Sequence, residues 1–241
     1  NPLLNLPSKD SFPTNSGESL NSSEIAIKLR FAYLEQFIEG DYFRYSIGTR
    51  YPVAELMISK GIPGILNSAY NFTKFNLSVK DKMRISPLGT LSYKVYAGKV
   101  IGALPFSFLE VHPGNDLYYF NSNTFNLMTR FEYISDTWAG INIEHKIGSG
   151  IFRFTPLTRK LKWRQFWNVK TLWGSLSNEN KKINGSSLFK NLNGGNYTEI
   201  GTGIDNMFKI FRIDLVWRLN PDASLPSYSR FGIFGSFQFQ F

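Results

Sequence analysis

With 241 residues the chain has room for one domain or one barrel, and 42% hydrophobic content excludes a disordered polymer. It has no cysteine and only two histidines, which excludes disulfides and cysteine-held metals. The net charge of +9 comes mostly from cations that stand singly inside strand-like segments, such as Lys28, Arg30, Arg44, Lys74 and Lys94, a pattern of lumen or interface residues rather than a nucleic-acid patch.

The chain opens with a polar stretch rich in Ser, Asn and Pro, 1–22, without a signal peptide, and reads as part of a longer exported chain. Period-two alternation begins at 23–33, with Ile25, Ile27, Leu29, Phe31 and Tyr33 on one face and Lys28 and Arg30 on the other. It repeats at 43–51, and Ala54, Leu56 and Ile58 predict a third strand. Phe75, Leu77, Val79, Met83 and Ile85 then alternate with Lys74, Asn76, Ser78, Lys80, Lys82 and Arg84, and 91–98 makes the return. After a long irregular segment at 100–122, Phe125, Leu127, Thr129, Phe131 and Tyr133 predict another strand, with a turn at Ser135 and Asp136. Strands at 139–147 and 163–173 follow, separated by TPLTRKLK, where Thr155 and Pro156 can open a short helical turn. A polar, Asn- and Gly-rich loop of about twenty residues leads to a hairpin at 197–219. The loop PDASLPSYS then leads to the closing strand.

That last strand is the strongest signal. In RFGIFGSFQFQF, Phe231, Ile233, Phe237, Phe239 and Phe241 share one face, and small or polar residues the other. An aromatic stripe of this kind, with Phe237, Phe239 and Phe241 as its signature, suits an outer-membrane barrel whose outside meets lipid and whose inside is polar. About eleven strands can be counted. Many reach about 9–12 residues, the length that crosses a bilayer at a tilt, against about 5–6 in ordinary globular strands. Bacterial single-chain barrels use even strand numbers, so the expectation is about 12 strands in this chain, or more outside it. The fold class expected is all-β, an antiparallel transmembrane β-barrel over 23–241. With a periplasmic C-terminus, the loops at 176–196 and 220–229 are extracellular. The segments at 100–123 and 148–161 then fall on the periplasmic side, where turns are normally short.

From about Phe72 onward, AGKVIGALPFSFLEVHPGND, FNLMTRFEYISD, EHKIGSGIF with PLTRKLKWR, YTEIGTGIDNMFKIFRIDLVWRL and the closing strand together resemble a known family. It is the C-terminal barrel of Bacteroidota outer-membrane proteins of unknown function in which a carboxypeptidase-regulatory-like domain precedes the barrel. The resemblance implies an outer-membrane location and an N-terminal periplasmic portion, and carries over no catalytic residue. More remotely, Gly201 and Gly203 on one strand, Arg212 and Asp214 on the next, and the aromatic end are similar to the barrel-assembly and two-partner-secretion superfamily. The Arg-Gly-aromatic loop tip of that superfamily is absent from this sequence.

Glu199, Arg212, Asp214 and Arg218 fall on lumenal faces of neighbouring strands and form a candidate charge network, either a salt-bridged lining or a selective pore. His112, with Glu110 and Asp116 nearby, reads as part of a turn built on Pro113, Gly114 and Asn115 rather than as a base or ligand. Ser107, His112 and Asp116 lack the spacing of a triad. His145 and Glu144 point to opposite faces. Trp138, Trp163, Trp167, Trp173 and Trp217 suit aromatic girdles. No catalytic, metal-binding or cofactor-binding residue is assigned. The expected role is a non-enzymatic barrel of the bacterial outer membrane, in contact with lipid or lipopolysaccharide and with other envelope proteins, not nucleic acid, in assembly, secretion or uptake. The alternatives are a barrel that inserts or translocates polypeptides, and an outer-membrane hydrolase.

Overall fold

A computed structural model of the chain describes residues 20–154, 156–184, 189–221 and 230–237. The chain is all-β, built on one large antiparallel sheet of nine strands. In chain order the sheet takes β1 (Glu24–Ala32), β4 (Val53–Gly61), β5 (Phe72–Ile85), β6 (Gly89–Ile101), β9 (Thr137–Gly148), β10 (Arg164–Ser175), β11 (Asn196–Met207), β12 (Phe211–Asn220) and β13 (Phe231–Phe237). Each strand pairs with the next in that order, so the sheet is a plain up-and-down meander. A separate hairpin, β2 (Gln36–Gly40) with β3 (Phe43–Gly48), projects between β1 and β4. The alternation at 43–51 thus belongs to a short ribbon rather than to the main sheet.

The sheet curls. Arg212 on β12 reaches Glu144 on β9 at 2.7 Å, three strands away. Strands lie about 4.8 Å apart and side chains leave a sheet nearly perpendicular to it, so a flat sheet would hold those groups about 14 Å apart at their bases. Lys146 on β9 and Asp205 on β11 meet at 3.2 Å in the same way. The sheet does not close: β1 and β13 are its two edges, and no bridge joins them among the described residues.

One expected strand is absent. Residues 125–133 are not a strand but part of a long irregular segment, 102–136, that folds against the inner face of the sheet. Alternation there was deceptive because both parities are buried: Phe125, Asn126 and Met128 are all nearly inaccessible. Phe131 also takes a left-handed backbone, φ 59°, which breaks an extended run. Only β7 (Glu110–Val111) and β8 (Ile134–Ser135) are extended in this segment, and they pair with each other. Ser135 therefore ends β8 and Asp136 alone joins it to β9, rather than the two forming a hairpin turn.

Losing that strand changes the parity of every loop before it. Segment 102–136 lies at the end of the sheet where β10 and β12 finish, not at the opposite end. The hairpin β2–β3 and the 149–163 connection occupy the other end, with the tight turns at 86–88 and 208–210. The 149–163 connection contains a 3₁₀ turn (Gly150–Arg153) and α1 (Pro156–Leu161), which starts on the proline as the sequence predicts; Thr155 lies outside the described residues. The polar loop after β10 holds a short helix, α2 (Asn178–Ile183), capped by the Ser177 side chain. No described helix is long and apolar enough to cross a membrane. Within the closing stripe Phe237 is described and points outward, whereas Phe239 and Phe241 lie outside the described residues, as does most of the loop at 220–229 and of the polar start of the chain.

Candidate functional site

The two faces of the sheet have opposite chemistry. Outward-facing Leu77 is 48% exposed and Ile233 is 57% exposed, whereas inward-facing Arg212 is 1% exposed and Asp214 0%. Sheet alternation explains the division, since Phe211, Ile213 and Leu215 stand on one side of β12 and Arg212, Asp214, Val216 and Arg218 on the other. The charged face is thus the enclosed one, and it is where any site must lie.

Segment 102–136 is fastened across that face by side chains from four strands. Lys74 on β5 binds Glu110 at 2.8 Å. On β10, Lys170 donates to the carbonyls of Asn121 (3.0 Å) and Thr124 (2.6 Å). Glu199 on β11 accepts from the backbone N–H of Asn126 (2.9 Å) and of Leu127 (2.8 Å), and from the Tyr197 hydroxyl (2.6 Å). Arg218 on β12 donates to Glu132 (3.1 Å) and to the Tyr133 hydroxyl (2.9 Å). The segment also reaches the free edge of β13, where Phe120 N–H donates to Gly235 O and Gly235 N–H to Tyr118 O. From the loop end, α2 pins the segment's two ends together. Asn180 accepts from Leu104 N–H and donates to Gly102 O and Asp136, and Asp136 also accepts from Ser177 N–H.

The four charged residues expected to form one network fall into three groups. Arg212 and Asp214 bind each other twice at 2.8 Å, and Arg212 stacks over Phe166 at 3.7 Å while holding Glu144. Glu199 binds neither arginine; it caps backbone N–H groups of the inner segment. Arg218 binds Glu132, which 102–136 supplies. Buried charges survive only when paired and fully hydrogen-bonded, and here the inner segment provides much of that pairing. Burial pushes the Glu132 carboxyl up, but Arg218, the Thr129 N–H and Lys190 outweigh it and hold it below its ordinary value. For Asp136, donors at Ser177 and Asn180 likewise outweigh burial and keep it low.

His112 is buried, with Nε2 2.9 Å from Ser135 Oγ, and Trp138 lies edge-on to its ring. Burial, with Lys74 nearby, pushes it down to about 4. Ser107 and Asp116 do not join it: Asp116 instead accepts from Arg130 N–H and pairs with its guanidinium. Residues 113–115 are not a turn: Gly114 forms an isolated parallel bridge with Phe125, whose N–H donates to Pro113 O, and the local bond, Leu117 N–H to Asn115 Oδ1, comes just after. His145 is on the outer face, bonded to Leu88 O and edge-on to Trp167, while Glu144 faces inward. Trp138 requires a correction: it is 4% exposed and inward, not part of an outer girdle. Its ring covers Gly98 on β6, and one register step away Tyr96 covers Gly140. No group of three or more metal-ligating side chains occurs among the described residues.

Residues 3–204 match the model for the C-terminal domain of a family of unknown function, DUF5686. The chain belongs to the DUF5686 family. No curated protein matches it. The matched span of this DUF5686 domain includes the whole inner segment, α2, Lys170 and Glu199, and stops before Arg212, Asp214, Arg218 and the closing strand. Sequence reasoning missed Lys170, Asn126 and Glu132. Lys170 could have been found from strand parity, since it lies in line with Phe166 and Asn168, opposite the outward Trp167 and Val169. Nothing in the sequence marks the backbone N–H groups that Glu199 holds.

Proposed function

We propose that this DUF5686 domain is a non-enzymatic transmembrane β-barrel of the bacterial outer membrane, with its interior plugged by 102–136. It serves as a subunit of a larger envelope complex for assembly, secretion or uptake. The observation that carries this reading is the inversion of the sheet: apolar and aromatic side chains line its exposed face, and ion pairs line its enclosed one. A water-soluble sheet packs the other way. Strands β5, β6, β9, β10 and β11 run 12–14 residues, enough for a tilted bilayer crossing. The sequence resemblance adds a Bacteroidota source and a preceding carboxypeptidase-regulatory-like domain as parts of the same proposal. A second reading, a barrel that inserts or translocates polypeptides, draws support from the sheet's two edges, which are not joined to each other among the described residues, β13 being met only at Gly235 by the inner segment.

The test uses outward Trp167 and Trp173 against inward Trp138 in the purified full-length protein reconstituted into vesicles with brominated acyl chains. Single-tryptophan variants retaining Trp167 or Trp173 are expected to be quenched, and one retaining Trp138 is not. A protein that stays monodisperse in water without detergent, with no quenching at any position, overturns the reading.

A further inference from the structure

Between the inner face of β1, β4, β5, β6, β9 and β10, the β2–β3 hairpin with its flanking residues, and the tip of the inner segment lies a chamber of about 610 Å³, within the range of small-molecule sites. Its wall carries a row of side chains in direct register across the strands: Lys80 opposite Lys94, Lys94 opposite Asn142, and Asn142 opposite Lys170. One step along, Lys82 stands opposite Ser92. Like charges facing each other across a strand pair destabilise the sheet, so an anion beside the solvent-exposed Lys80–Lys94 pair is favourable.

The protein supplies little of that negative charge. The cations on or beside this wall are Lys28, Arg30, Lys80, Lys82, Lys94 and Lys170, and the carboxylates are Glu35, Glu55, Asp81 and Glu144. Glu35 is bound by Arg30. Glu55 is shared by Lys28 at 2.8 Å, Lys80 at 3.6 Å and Arg30 at 3.7 Å. Glu144 belongs to Arg212 and Lys146, and Asp81 accepts from Lys82 N–H. Lys82 and Lys94 have no carboxylate within ion-pair distance among the described residues. Two amides on the chamber wall are also incompletely bonded within the protein. Asn168, 3% exposed, has a buried Nδ2 without an acceptor, and Asn142 a buried Oδ1 without a donor.

We propose that this chamber binds a phosphorylated polyol, with Lys80, Lys82 and Lys94 on the phosphate. The donors are ammonium groups, compact point charges that suit phosphate. Asn168 Nδ2 gives a further donor, and Asn142 Oδ1 accepts a hydroxyl, of which a polyol phosphate offers several and HPO4²⁻ only one. Phe120 and Tyr51 close part of the wall with aromatic surface for the ligand's C–H face. This goes beyond the barrel role and does not depend on whether the outer face meets lipid.

The test is calorimetric titration of the purified full-length protein, kept monodisperse in detergent, with glucose 6-phosphate, inorganic phosphate and glucose as probes. Glucose 6-phosphate is expected to bind at least tenfold more tightly than either of the others. The double variant Lys80→Gln, Lys94→Gln is expected to lose at least tenfold of that affinity while its thermal unfolding stays at or above that of the wild type, because it relieves a like-charge pair. Equal binding of glucose and its phosphate, or an unchanged affinity in the double variant, overturns the site. Equal binding of inorganic phosphate overturns the polyol assignment. Should the double variant fail to fold, Lys82→Gln alone, which leaves the opposed pair in place, must still weaken binding severalfold for the proposal to stand.

Discussion

Glu199 is the point at which sheet and inner segment are most directly joined. Replacing it with alanine leaves three buried donors without an acceptor: the N–H groups of Asn126 and Leu127 and the hydroxyl of Tyr197. A buried donor left unsatisfied costs about 1–3 kcal/mol, so the variant loses about 3 kcal/mol even at the low end. That raises the fraction of molecules with the segment released by roughly a hundredfold. The strands keep their own ladder bonds, so the loss is local. Hydrogen exchange in detergent reads it directly: the amides of Asn126 and Leu127 lose protection by about two orders of magnitude, while ladder amides of β10 and β12 do not change. Glu199→Gln retains one acceptor oxygen and falls between. Unchanged protection at Asn126 and Leu127 in Glu199→Ala would refute the argument that this carboxylate holds the segment.

Two further perturbations address the same packing. A methyl group at Gly98 collides with the Trp138 indole, so Gly98→Ala is expected to cost about 1–3 kcal/mol by overpacking and to shift tryptophan emission to the red; an unchanged spectrum and melting point contradict it. His112 is neutral in the folded state because burial pushes it down to about 4 from its ordinary value near 6.5. The released segment therefore takes up a proton first. The stability that neutral His112 allows is complete above pH 6.5 and falls as pH drops towards 4, by about 3 kcal/mol at most. Protease cleavage within 112–133 should rise over that window, and His112→Gln should flatten the rise; an equal rise in the variant points to another group.

Much of the sheet was legible because its chemistry is one-dimensional. Strands such as β5, β9 and β12 alternate between an outer apolar face and an inner polar one, and a period of two survives without knowledge of the partners. The inner segment was not legible for the converse reason. Phe125, Leu127 and Phe131 imitate a strand stripe, but Asn126, Met128 and Glu132 between and beside them are buried as well, and the backbone donors of Asn126 and Leu127 are satisfied by a side chain on β11, 73 and 72 residues away in sequence. The lysine row was visible as residues, since Lys80, Lys82 and Lys94 stand opposite the apolar stripe. Its meaning was not, because register sets Lys80 against Lys94 and no single strand encodes register. The same holds for Arg212, Asp214 and Glu199: their inward direction follows from alternation, and their separate partners follow only from the curl.

The strand count also constrains how such a sheet can close. All eight neighbour pairs are antiparallel, so β1 and β13, the first and ninth strands of an up-and-down order and eight steps apart, run in the same direction. Joining them directly makes a parallel seam. An all-antiparallel barrel instead needs an odd number of further strands between these edges, from outside the described residues or from another chain. The edge of β13 is already partly occupied, since Gly235 exchanges hydrogen bonds with Tyr118 and Phe120, and this too disfavours a direct seam. The absence of cysteine makes the question simple to test. Cysteine pairs scanned along β1 and β13 in the purified full-length protein are expected to form no disulfide, whereas Leu215→Cys with Ile233→Cys, directly opposed on β12 and β13, should form one. A ladder of β1–β13 disulfides in parallel register would refute the antiparallel closure and show nine strands closing on themselves.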